Sequence, residues 1–175
     1  MYFTYTEENP ISFNPFYTDD YVFDVEKKDS IKTLLLTLWK TEDDKITKTE
    51  SGELGSAVSA YIERIRSDRS IIPSLNTFYE YMRDDYRREM EEREIRVRRE
   101  DFDIDNLLVT LRQYYRGGRY DFLLNSTENI DLLSKRFIVF EIDSIKENRE
   151  LFPVVTIIIM EAFINKMRRL KGVRK

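Results

Sequence analysis

The residues best placed to do chemistry in this chain are arginines. Arg112 and Arg116 lie one turn apart at the end of a helical pattern, Gly117-Gly118 follows, and Arg119 stands on the far side of that turn. Guanidinium groups gathered beside a flexible turn can reach a phosphate, including one held by a neighbouring subunit. The plainer account is a helix C-terminus whose arginines complement the dipole and whose glycines end the helix, and the residues by themselves favour it. A second pattern is Phe137-Ile138-Val139-Phe140-Glu141-Ile142-Asp143, an apolar run closing on acidic residues. It has the outline of a strand that organises magnesium beside a nucleotide, but any buried parallel strand can end on a carboxylate. The necessary companion is a G-x-x-x-x-G-K-[ST] turn whose amides cradle phosphates. Gly52, Gly55, Gly117, Gly118 and Gly172 fit no such pattern, so no complete nucleotide site is expected within these residues.

Other chemistries fall by composition. With no His and no Cys there is no disulfide frame, thiolate nucleophile, zinc finger, Ser-His-Asp triad or imidazole base. Carboxylate pairs such as Asp43-Asp44 and Asp84-Asp85 sit among polar residues and read as solvated. The run from Arg83 to Arg99 sets seven arginines against six carboxylates, the writing of a salt-bridged surface rather than a nucleic-acid groove. Arg168, Arg169, Lys171, Arg174 and Lys175 are unopposed, yet cations at a helix C-terminus are routine. Over the whole chain 29 basic against 33 acidic residues leave −4, which argues against electrostatic capture of DNA. Direct nucleic-acid binding is not expected.

The elements that must carry these groups follow from periodicity. The chain has 175 residues, 41% of them hydrophobic and 13% aromatic, enough for a folded core. Tyr2 to Tyr5 reads as a strand, and Asn9-Pro10 and Asn14-Pro15 as ordered loop. Ile31, Leu34, Leu35, Leu38 and Trp39 predict a first helix capped by Asp29 or Ser30. Thr41 to Glu50 reads as a mobile connection. Leu54, Ala57, Val58, Tyr61, Ile62 and Ile65 form the single stripe of a second helix. Pro73-Ser74 opens a third, with Leu75, Phe78, Tyr79, Met82 and Tyr86 inward and a charged second half in solvent. Asp103 caps a fourth, and Gly117 stands where a left-handed residue ends it.

Phe137 to Ile142 then predicts an interior strand covered on both faces, and residues 150–170 a helix apolar nearly all round. The apolar stretch Leu151 to Ile164 is too short to cross about 30 Å of hydrocarbon. Only Tyr2 to Tyr5 and Ile130 to Leu133 are available to pair with that strand, and a right-handed crossover asks for a further parallel strand. The expectation is therefore an α/β fragment, mainly α-helical: an excised part of a larger α/β domain carrying a helical insertion.

Several stretches, in order, resemble the TraG-type ATPase of conjugative transposons, within the type IV secretion ATPases. They are Tyr2-Phe3-Thr4-Tyr5 with Asn9 to Phe16, Gly117-Gly118-Arg119-Tyr120-Asp121-Phe122-Leu123-Leu124-Asn125, Arg136 to Asp143, and Leu151 to Lys175. Phe152 to Glu161 and Met167 to Gly172 carry the most specific part. The resemblance implies a RecA-like P-loop motor domain with the Walker A loop before a segment like Tyr2 and the Walker B strand after one like Lys175. On that basis residues 1–23 lead from the motor core, 24–116 form the helical insertion, and 117–175 return to the core through strand 137–142 and helix 150–170.

The implied parent uses ATP and magnesium to drive a DNA-transfer channel, whereas these residues alone hold no cofactor, no metal and no catalytic group. Implied partners are the remainder of the same ATPase polypeptide, further copies of it in a homo-oligomer, and other channel proteins. The implied place is cytoplasmic, at the cytoplasmic face of the inner membrane. Arg112, Arg116 and Arg119 are the candidates for contact with a neighbouring subunit's nucleotide. The alternative from another class is a self-sufficient helical module that binds a partner protein.

Overall fold

Side-chain caps decide where the helices of this protein begin. The computed structural model describes residues 2–4, 12–18, 22–127 and 137–173. Helix α1 (Val25–Trp39) starts at Asp24, whose Oδ1 accepts the Lys27 amide at 2.7 Å. The start expected at Asp29 or Ser30 is thus corrected: the charged residues 26–29 hide the periodicity, and the cap lies before them. Helix α2 (Lys48–Ser67) opens on a reciprocal pair, with Thr47 Oγ1 accepting the Glu50 amide and the Glu50 carboxylate accepting the Thr47 amide. Part of the supposedly mobile connection is therefore the first turn of a helix. Ser74 caps α3 (Leu75–Tyr81) and Asp103 caps α5 (Ile104–Leu111), both as the sequence predicts.

The buried faces agree with the periodic stripes. Ile31, Leu34, Leu35 and Leu38 of α1 meet Leu54, Ala57, Val58, Tyr61, Ile62 and Ile65 of α2, all buried. Phe16, Tyr61 and Phe78 form an aromatic knot with ring centroids 5.3–5.4 Å apart, which draws the N-terminal loop and α3 onto α2. Trp39 meets the edge of Phe102 and donates from Nε1 to Asn106 Oδ1 at 2.7 Å, tying α1 to α5.

After α3 the chain does not continue as a plain α-helix. Met82–Tyr86 forms a π-helical turn before α4 (Arg87–Glu92), and the widened turn lets Tyr81, Met82 and Tyr86 all face the core. Helix α4 buries nothing, as its charges predict, but ends at Glu92 rather than running on through the arginine-rich stretch. Arg93 instead folds back, lying 5.1 Å from the Tyr86 ring and reaching Glu53 at 2.8 Å.

Two short strands, β1 (Tyr2–Thr4) and β2 (Val139–Glu141), pair in parallel with Tyr2 opposite Val139 and Thr4 opposite Glu141. The expected pairing of the first strand with the Phe137 to Ile142 run is thus present. The expected interior strand is not: β2 is three residues long and half-buried, and Phe137 beside it is 68% exposed. Phe163 of α6 (Leu151–Val173) meets Phe140 at 5.8 Å, and among the described residues β2 has one strand neighbour. Asn148 starts α6 by accepting the amides of Glu150 and Leu151 at 3.0 Å. Its buried stripe, Leu151, Val154, Val155, Ile158 and Glu161, faces inward, and α6 packs on α1. Met160 and Met167 are exposed, so the helix is not enclosed all round. The architecture is mainly helical. Tyr5, Asn9-Pro10, Ile130 to Leu133 and the side chains of the basic tail lie outside the described residues. No helix among the described residues is long and apolar enough to cross a membrane.

Candidate functional site

The glycine turn is built by the end of α5. The helix tightens into a 3-10 turn at Arg112–Tyr114, Tyr115 becomes extended, and Gly117 takes φ +78°. That is the left-handed conformation expected from its position, and it favours glycine because an L side chain would crowd its own backbone. Gly118 is glycine for a different reason. A Cβ there would stand 2.5 Å from the carbonyl oxygens of both Arg112 and Gln113.

Four amides of the turn are engaged internally. Gly117 N donates to Asp121 Oδ2 at 3.0 Å and Gly118 N to Tyr115 O at 2.7 Å. Tyr120 N donates to Gln113 O at 2.7 Å and Asp121 N to Gly118 O at 3.3 Å. A phosphate cradle needs several free, converging amides, and these four are already committed.

Asn125 locks the turn into the body. Its Nδ2 donates to the carbonyls of Tyr114 and Asp121, both at 2.9 Å, and its Oδ1 accepts the Asn76 amide at 2.8 Å. Asn76 Oδ1 in turn accepts the Arg116 amide at 2.9 Å, so α3 and the turn are stitched together. The N-terminal loop joins them: Phe13 N donates to Leu123 O at 2.9 Å, Ser126 N to Phe13 O at 3.3 Å, and the Ser12 hydroxyl to Phe122 O. Two stretches that lie far apart in sequence are thus one structural unit.

The three arginines do not form one cluster. Arg116 lines an open groove of about 550 Å³, where its guanidinium lies 3.9 Å from Glu80, while neither Arg112 nor Arg119 reaches that groove. Arg119 lies 5.2 Å from the centre of the Tyr120 ring, and Arg112 is exposed. The rest of the groove includes Tyr61, Arg64, Tyr81, Asp84 and Asp85. Its charges are answered in place: Asp85 pairs with Arg64 at 2.5 Å and Arg88 at 2.9 Å, and Asp84 with Arg83 at 2.6 Å. Glu80 accepts from the Tyr115 hydroxyl at 2.9 Å.

The resolved shifts in the groove carry pKa values further from pH 7. Arg83 holds the Asp84 carboxyl below its ordinary value, burial pushes the Tyr61 phenol up to about 12, and burial with the Glu89 charge pushes Tyr81 higher. Nothing in that set is poised for proton transfer near pH 7. Glu141 and Asp143 are exposed, at β2 and the 3-10 turn after it. Among the described residues no three His, Cys, Asp or Glu side chains are grouped to hold a metal.

Sequence reasoning missed the π-helical turn, which puts Tyr81, Asp84 and Asp85 on the groove wall. The available signal was the close spacing of Tyr79, Tyr81, Met82 and Tyr86, more aromatic and apolar residues than one α-helical face accepts. It also missed Lys27 and Glu161, which pair in the interior at 3.4 Å. Compared with known families, residues 1–175 match the model described as the TraG P-loop domain. No curated protein matches the chain.

Proposed function

The chain belongs to the TraG P-loop domain family, a family of conjugation ATPases, and from that membership we propose that it forms the helical, non-hydrolytic part of such a motor. In this reading the chain lies between the Walker A loop and the Walker B strand, and its parent couples ATP hydrolysis with magnesium to a type IV secretion channel of a conjugative transposon. The observation that carries the reading is the family match over residues 1–175. Two physical features support it. The parallel pairing of β1 with β2 is the strand geometry of an α/β sheet, and parallel strands need a long crossover between them. Four amides of the glycine turn are engaged internally, which fits a reading that assigns nucleotide chemistry to residues outside this stretch.

The partners are the remainder of the ATPase polypeptide, further copies of it, and channel proteins, at the cytoplasmic face of the inner membrane. Arg112, Arg116 and Arg119 are the groups from which a neighbour's nucleotide would receive positive charge; that service is electrostatic and needs only an exposed guanidinium. ATP turnover tests the proposal. The complete ATPase carrying this chain hydrolyses ATP and the chain alone does not; Mg-dependent turnover by the chain alone rejects the reading.

A second reading, a self-sufficient helical module that binds a partner protein, draws on the well-filled core shared by α1, α2, α3 and α5. It predicts a cooperatively unfolding monomer, whereas the motor-segment reading predicts association through the half-exposed apolar surface around Phe137 and Met160. Light scattering combined with thermal unfolding separates the two.

A further inference from the structure

Three side chains from two helices converge where the chain would most easily have stayed apolar. Glu161 continues the buried stripe of α6 that Val154, Val155 and Ile158 begin. From α1, Lys27 and Ser30 stand one turn apart and both meet it. Lys27 Nζ lies 3.4 Å from Glu161 Oε2, with the two side chains only 5% and 11% exposed, and the Ser30 hydroxyl donates to Glu161 Oε1. The Lys27 ammonium also stands 6.0 Å from the Phe13 ring, in the loop hydrogen-bonded to Leu123. Both carboxylate oxygens therefore have a donor, and the cation has both an anion and an aromatic face.

A buried ion pair is poor evidence for stability, because desolvating both charges offsets most of their attraction. Its distinctive property is intolerance of displacement. Sliding α6 along α1 by one turn, about 5.4 Å, would set the carboxylate against apolar side chains and strand the ammonium, whereas apolar stripes alone would accept the new register. We infer that Lys27, Ser30 and Glu161 form a registry lock, which holds α6 in one position along α1 and so fixes the β2–α6 unit against the helical layer. This inference concerns the packing of the chain and stands apart from the motor reading.

The chain has no cysteine, so spin labels can be placed cleanly at Val25→Cys on α1 and Met160→Cys on α6, both exposed. Val25→Cys with Thr49→Cys, an exposed site on α2, is the control within the helical layer. In the full chain the first pair gives one narrow distance. In Lys27→Met/Glu161→Leu it gains a second population displaced by about 5 Å, one helical turn, while the control distance is unchanged. Lys27→Glu/Glu161→Lys, which keeps the opposite charges, returns the single distance. A single unshifted distance in the apolar double variant overturns the inference. So does failure of that variant to fold, because the pair would then serve stability rather than register.

Discussion

Gly118→Ala is the substitution that the geometry condemns most directly. The added Cβ meets two backbone carbonyl oxygens at 2.5 Å, and neither belongs to a side chain that can swing aside. Relief requires the strand of chain at Gly118 to lift from the end of α5, which lengthens the 2.7 Å bond from Tyr120 N to Gln113 O. Overpacking of this kind costs about 1–3 kcal/mol, and a weakened hydrogen bond adds about 1 kcal/mol, so about 3 kcal/mol is expected. For a domain of this size each kcal/mol moves the midpoint by about 2–4 °C, which gives a fall of roughly 6–12 °C. The assay is thermal unfolding followed by far-UV circular dichroism, with two other glycines as references. Gly117→Ala loses about 1–2 kcal/mol for its left-handed φ alone. Gly52→Ala, in the interior of α2 with nothing within 4 Å of the new methyl, gains about 0.5–1 kcal/mol. A Gly118→Ala midpoint within about 1 °C of the unsubstituted chain would show the turn to be open enough to take a side chain, against the close approach of the two carbonyls.

Glu161→Ala leaves the Lys27 ammonium buried without its carboxylate and lowers stability by about 3–5 kcal/mol in urea unfolding, while Lys27→Met/Glu161→Leu stays close to the unsubstituted chain. Asn106→Ala removes the acceptor for Trp39 Nε1 and costs about 1–2 kcal/mol, and emission from this sole tryptophan reports whether its surroundings change. Tyr61 is held neutral by burial, with a folded value of about 12 against an ordinary 10.0, so its contribution is complete below about pH 10 and is lost as pH rises toward 12. Alkaline unfolding curves check this, with Tyr61→Phe showing a shallower decline through that window. Arg112→Ala, Arg116→Ala and Arg119→Ala change stability by less than about 0.5 kcal/mol, and if one of them makes the proposed contact between subunits its loss lowers turnover of the complete ATPase by about a thousandfold.

Where an apolar residue repeats every three or four positions, the chain is legible: the α2 stripe from Leu54 to Ile65 is buried residue for residue. Caps are legible when the capping residue abuts the stripe, as Asp103 does, and obscure when charges intervene, as between Asp24 and Ile31. The π-helical turn at Met82–Tyr86 is a tertiary choice, made because three large side chains compete for one face, and no single spacing announces it. The glycine turn was half legible. Gly117 follows from helix-ending geometry, but the demand on Gly118 comes from carbonyls five and six positions earlier, and the closure by Asn76 and Asn125 is a long-range pairing that local pattern does not encode. The separation of Arg116 from Arg112 and Arg119 has the same origin: the turn reverses the chain, so residues close in sequence face different surroundings. The burial of Lys27 and Glu161 was invisible because each, taken alone, is an ordinary surface residue; only their meeting across α1 and α6 makes the interior accept them.

As proposed above, this stretch serves as a scaffold of a P-loop motor and leaves nucleotide binding to other residues of that motor. Calorimetric titration of the chain with Mg-ATP tests it most directly. No measurable heat of binding is expected up to millimolar nucleotide, with high-affinity binding only in the complete ATPase. Micromolar, magnesium-dependent binding to the chain alone, abolished by substitutions at the glycine turn, would contradict it.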